Sequence, residues 1–160
     1  MLKIGVEGVE GVEGVEGVDG DPLKGGGGIG KGRPSHKQSE KDVGKDLGTG
    51  WKEQVSYKDG KEVPYGTKGS TRPDWCNGST CSIEVKNYNI ATNQSGLISN
   101  VAKQSIDRQA NLPSGMRQEI VIDIRGQTIT PMQRVKIVQG IVDKSNGVVD
   151  KSSIRFKTNN

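Results

Sequence analysis

Residues 72–87 read RPDWCNGSTCSIEVKN, and the way this stretch folds decides the rest. Side chains alternate between the two faces of a strand. In Ser82–Lys86, Glu84 and Lys86 therefore share one face, and Ile83 and Val85 share the other. The apolar pair can enter a core while the carboxylate and the amine line a site. Asn77-Gly78-Ser79 is a turn signal. A chain that doubles back there returns Asp74 beside Glu84. Close carboxylates repel unless a cation lies between them, and oxygen ligands suit Mg²⁺ or Mn²⁺. The stretch thus predicts a hairpin with two carboxylates and a lysine at one end.

Outward from this hairpin, the elements are readable on both sides. Upstream, Ser35–Leu47 reads as a helix capped by Ser35, with Val43 and Leu47 facing inward one turn apart. Glu40 lies one turn before Val43 and Gly44, toward the same side; its plainer reading is a solvated charge. Trp51–Tyr57 alternates as a strand, Asp59-Gly60 turns it, and Glu62–Tyr65 returns with Pro64 marking an edge. Downstream, Asn93–Gly96 breaks the chain, and Leu97–Leu112 reads as a second helix. Leu97, Ile98, Val101, Ala102 and Ile106 form its apolar stripe. Gln104 and Arg108, one turn apart, share its polar face, and Lys103 flanks them. Gln118–Ile124 is a β-rich central strand. Thr130-Pro131 opens a third helix with an inner stripe of Val135, Ile137, Val138, Ile141 and Val142. Ile154–Phe156 reads as a last short strand.

Composition divides the chain in two. Residues 1–21 carry one lysine against six acids, a net of −5, in a chain of 160 residues whose total is +4. Residues 22–160 therefore hold +9, the charge expected of a domain with a phosphate-rich partner. Residues 5–19 are four GVE triplets and one GVD, and Gly25–Gly28 follow. A valine in every third position matches neither a helical nor a strand period, so residues 1–32 read as a flexible acidic tether before a domain at 33–160. No apolar run reaches the length of a membrane span, and the start of the chain lacks the pattern of a signal peptide.

Cys76 and Cys81 are the two cysteines and His36 the one histidine, too few ligands for a structural zinc site. The cysteines read either as a disulfide clamping the turn or as two free thiols. No Ser/His/Asp or Cys/His nucleophilic set is available, and His36 reads as an exposed polar residue at the entry to the first helix.

Pro73-Asp74 followed by Glu84-Val85-Lys86 resembles the PD-(D/E)xK motif of the restriction-endonuclease-like nucleases. The element order over residues 34–125 resembles their αβββαβ core. Four blocks at residues 39–44 (SEKDVG), 66–75 (GTKGSTRPDW), 84–89 (EVKNYN) and 122–127 (IDIRGQ) resemble more closely the restriction-endonuclease-fold toxin domains of bacterial polymorphic toxins. The resemblance implies an α/β fold with a mixed sheet flanked by helices, behind a disordered glycine-rich tail. It implies hydrolysis of nucleic-acid phosphodiesters with Mg²⁺, or Mn²⁺, at Asp74, Glu84 and the Val85 carbonyl. Lys86 would orient the attacking water, Glu40 and Gln104 would complete the catalytic set, and Arg72, Lys103, Arg108 and Arg125 would contact phosphate. It further implies secretion as the C-terminal part of a larger protein, delivery to a target-cell cytoplasm, and an acidic immunity protein as partner. The competing readings are a non-catalytic basic nucleic-acid-binding module, a housekeeping DNA-processing nuclease, and a structural or linker protein built on the GVE repeat.

Overall fold

Among the described residues, three α-helices pack on the two faces of a five-stranded mixed sheet. Each helix start follows from its local chemistry. Helix α1 (His36–Leu47) begins where the Ser35 side chain accepts the Gln38 N–H. Helix α3 (Pro131–Lys144) has a full capping box between Thr130 and Gln133, with proline in its first turn. Helix α2 runs over Ile90–Gln109. The break expected at 93–96 is a kink inside it: Asn93 leaves helical geometry (φ −143°, ψ 37°) without ending the element. The computed structural model describes residues 32–159, so the tether reading of the acidic repeat lies almost wholly outside the described residues.

The strands are β1 (Lys52–Glu53), β2 (Ser56–Lys58), β3 (Lys61–Val63), β4 (Trp75–Asn77), β5 (Cys81–Lys86), β6 (Arg117–Asp123) and β7 (Ile154–Lys157). Five of them form one sheet in the order β1-β4-β5-β6-β7. Pairing is antiparallel from β1 through β5 and parallel from β5 through β7. The single strand expected over Trp51–Tyr57 is instead two, because Gln54 takes a positive φ of 59° and turns the chain out of the sheet. Strands β2 and β3 then pair only with each other, through an Asp59-Gly60 turn with both φ values positive. Their ribbon is tied back by Tyr57, which bridges to Thr71 and packs with Cys76, Leu112 and Met116.

Alternation along β5 and β6 sorts the core. Ile83, Val85 and Val121 face α1 and pack with its Val43; Leu47, Trp51 and Trp75 close that side. Ile120 and Ile122 face the other way and pack with Leu97 and Val101 of α2 and Ile137 and Ile141 of α3. Two expected core positions lie outside: Val135 is 62% exposed and Ile106 39%. Both sit on the margin of their stripe, where neighbouring helices do not reach. Among the described residues no helix is long and apolar enough to cross a membrane.

Candidate active site

Strand pairing brings the acidic residues together. The Trp75↔Ile83 pair places Asp74, one residue back, across from Glu84, one residue on. The Val85 N–H donates to Asp74 Oδ2 at 2.8 Å, which fixes that carboxylate against β5. Glu84 and Lys86 share the face covered by α2, since they register with Ile120 and Ile122 of β6. There Lys86 Nζ donates to Gln104 Oε1 at 2.6 Å and lies 3.3 Å from Glu84 Oε2. Arg108, one turn beyond Gln104, pairs with Glu84 Oε1. The shared helix face of Gln104 and Arg108 thus becomes a set of contacts to the ExK pair.

Helix α1, on the opposite face, supplies the rest. His36 and Glu40 are one turn apart, and their Nε2 and Oε2 atoms lie 2.8 Å apart. One ligand atom from each of His36, Glu40 and Asp74 falls within 4.8 Å of the others. Trp75 holds this helix on the sheet by donating its indole N–H to the Glu40 carbonyl at 2.9 Å. Gln54 closes the cluster. Its backbone N–H reaches the Asp74 carbonyl at 3.1 Å, and its side-chain amide reaches Glu40 Oε1 at 3.4 Å and Asp74 Oδ1 at 3.5 Å. A glutamine in the left-handed region is uncommon, and such strain gathers at functional sites.

The electrostatics follow from this crowding. Burial, and then the charges of Glu40 and Glu84, push the Asp74 carboxyl well above the usual range. Burial, with Glu84 nearby, pushes Glu40 up to about 8. Burial also raises Glu84, but Arg108 and Lys86 outweigh it and bring that carboxyl down to about 2. Burial depresses the His36 imidazole to about 4, against the pull of Asp74. Both shifts disfavour a charged pair at the 2.8 Å contact between His36 and Glu40. The two side chains keep 31% and 25% of their surface exposed, so water moderates these effects. Asp74 and Glu40, both pushed up beside the lowered Glu84, form with His36 a group whose donors could hold a cation.

The expected site residues divide into two groups. Asp74, Glu84, Lys86, Glu40, Gln104 and Arg108 converge. Val85 takes part through its N–H, with its side chain in the core. Arg125 is committed elsewhere, to Asp123 and, at 2.9 Å, to Asp42. Arg72 is exposed and stacks on Tyr65 at 4.5 Å from the ring centre, and Lys103 is exposed on α2. His36, read from sequence as an exposed polar residue, is half-buried inside the cluster, and Gln54 was not among the expected residues at all. The i, i+4 spacing of His36 and Glu40 carried a usable signal for the first; nothing in WKEQVSY marks the second.

Three of the four blocks that carried the resemblance meet beside this site. Ser39 Oγ donates to Asp123 Oδ2 at 2.7 Å, and Asn87 Nδ2 donates to Ser39 Oγ at 2.9 Å and to the Pro34 carbonyl at 2.7 Å. Gln127 accepts the Ile90 N–H and donates to the Tyr88 carbonyl. These residues fix the start of α1, the end of β5 and the start of α2, which are the elements that carry the cluster. The cysteines are free. Cys76 is paired with Ser82 and Cys81 with Asn77, so the two point to opposite faces of the sheet and no disulfide forms. No protein-family model, curated protein or solved structure matches the chain.

Proposed function

We propose that this chain is a metal-dependent endonuclease with a restriction-endonuclease-like core, hydrolysing nucleic-acid phosphodiesters. The observation that carries the reading is the convergence of Asp74, Glu84, Lys86 and Gln104 with Glu40 at one end of the sheet. A site for binding phosphate alone has no use for three neighbouring carboxyls, whose charge opposes that of the ligand. A divalent cation reverses the balance, and when bound it supplies charge neutralisation at phosphate and an acidified water. Asp74 lies at the centre of the carboxyl group and would hold the ion.

The chain's own side chains then have distinct tasks. Lys86, anchored between Glu84 and Gln104, presents an ammonium that orients the attacking water or balances charge growing on phosphorus. Arg108 keeps Glu84 ionised and adds a second cationic group next to it. Arg72 and Lys103 are exposed and available to the nucleic-acid backbone beyond the scissile bond. The toxin role, with delivery to a competing cell and an acidic immunity partner, is supported by the four sequence blocks and by the +9 charge of residues 22–160.

The test is incubation of the purified protein with plasmid, genomic DNA and total RNA, with and without Mg²⁺ or Mn²⁺. Cleavage should need the cation and stop with EDTA. Asp74→Ala and Glu84→Ala should each remove it while the circular dichroism spectrum stays folded. Near-wild-type cleavage by both variants would end the assignment to this site.

A further inference from the structure

We propose that the cation is held by His36, Glu40 and Asp74, and that the imidazole makes the site select a divalent ion of the first transition row over Mg²⁺. This differs from the ligand set expected from sequence, Asp74 with Glu84 and the Val85 carbonyl. For the cation's role the inference rests on the endonuclease reading; for the existence of the site it rests on the three donors alone.

Four observations carry it. The donor atoms of His36, Glu40 and Asp74 already lie within 4.8 Å of one another. Ligands at ~2.1 Å from one ion stand up to about 4.2 Å apart, so closure needs movements of well under an ångström at these side chains. The groups come from two elements held in fixed relation: α1 is tied to β4 through the Trp75 indole and to β6 through Ser39 and Asp123, while Asp74 is tied to β5. Asp74 is 8% exposed, and Gln54 reaches both it and Glu40 from a left-handed backbone position, so the carboxylates face a common space. Glu84, by contrast, already has two cationic partners in Arg108 and Lys86.

The choice of metal follows from the donor types. Mg²⁺ favours oxygen and water, whereas imidazole suits Fe²⁺, Ni²⁺, Cu²⁺ and Zn²⁺; Mn²⁺, which takes oxygen ligands as well, serves as the paramagnetic first-row probe. One nitrogen and two carboxylates leave further positions open for water and a phosphate oxygen. The substrate phosphate would then sit between an ion on the α1 side and Lys86 and Arg108 on the α2 side.

Because His36 is the chain's one histidine, the test is unusually direct. Tag-free full-length protein is titrated with Mn²⁺ and followed by electron paramagnetic resonance. Pulsed measurements on the bound ion read whether a nitrogen is coordinated, and any imidazole coupling belongs to His36. The expected result is one bound Mn²⁺ per chain with nitrogen modulation, retained against a tenfold excess of Mg²⁺. His36→Ala should lose the modulation and at least about tenfold in Mn²⁺ affinity. A bound ion without nitrogen modulation in the wild-type protein, or one displaced by equimolar Mg²⁺, overturns the proposal. The wild-type spectrum decides even if the variant folds poorly. The two readings fail separately: cation-dependent cleavage without nitrogen coupling sinks this ligand set and leaves the endonuclease, while nitrogen-coupled Mn²⁺ on a protein that cleaves nothing does the reverse.

Discussion

Glu40 and Glu84 share one neighbourhood and shift in opposite directions, because Arg108 and Lys86 contact Glu84. This has a consequence for stability. Glu40 is raised from 4.5 to about 8, so the folded protein keeps a proton that the unfolded chain has released, and stability falls as pH rises across that window. Asp74 acts in the same direction. His36, lowered from 6.5 to about 4, works oppositely: between those values the unfolded chain holds the extra proton, and stability rises with pH. Above pH 6.5 the histidine no longer contributes. We therefore expect the melting temperature of the metal-free protein to fall between pH 6.5 and 8, and divalent cation to restore it more at pH 8 than at pH 6.5. A thermal melt series in EDTA checks this; a flat profile would mean that the carboxyls are not crowded as described. Lys86→Ala belongs to the same scale. Removing that ammonium should lower cleavage by about 100-fold or more, with little change in substrate affinity, since Arg108 and the exposed basic residues remain. Single-turnover kinetics separate the two effects.

At the scale of elements, α1 meets β4 closely at Gly44. A Cβ added at Gly44 would come within 2.2 Å of the Trp75 ring, so the helix can lie on the indole only with glycine there. Gly44→Ala should cost roughly 1–3 kcal/mol in urea unfolding, through overpacking. It should also weaken cleavage, because the same indole holds the Glu40 carbonyl. Thr130→Ala, which removes the α3 capping box far from the cluster, should cost about 1 kcal/mol and leave cleavage untouched. Comparing the two separates stability from positioning. The hairpin of β4 and β5 gives a further check. Its register sends Cys76 and Cys81 to opposite faces, and Cys76 is buried with its thiol pushed up to about 11, first by burial. Without reductant, denatured protein should take up two alkylating groups by mass, while Cys76 in the native protein stays unmodified.

For the whole molecule, charge is divided along the chain, −5 on residues 1–21 and +9 beyond. The acidic partner proposed for this chain, covering Asp74, Glu84 and Lys86 or a surface beside them, should associate fast at low salt and more slowly as ionic strength rises. Co-expression with the neighbouring small reading frame and capture at two salt concentrations tests this. Harmless expression of the wild-type chain in bacteria without any such partner would favour the housekeeping or binding readings. Deleting residues 1–30 should leave cleavage intact, which separates the catalytic reading from one based on the GVE repeat.

Local chemistry alone determined much of this protein. The Ser35 and Thr130 caps, the Asp59-Gly60 turn, and the alternation that sends Val85 inward and Lys86 to the site all act over a few residues, so they are written in order along the chain. The pairing of Asp74 with Glu84 was legible for the same reason, since one short turn separates their strands. Tertiary structure decided what no short-range pattern carries. Gln54 takes a left-handed conformation where Asp74 and Glu40, distant in sequence, meet its backbone and side-chain amides, and the strand whose alternation looked continuous breaks there. Arg125 turns to Asp123 and Asp42 because α1 brings Asp42 within reach. His36 reads as a surface residue until the sheet places Asp74 beside it. Contacts between residues tens of positions apart depend on how helices seat on the sheet, and that seating is set by the summed packing of Val43, Ile83, Val85 and Val121 rather than by any one signal in the sequence.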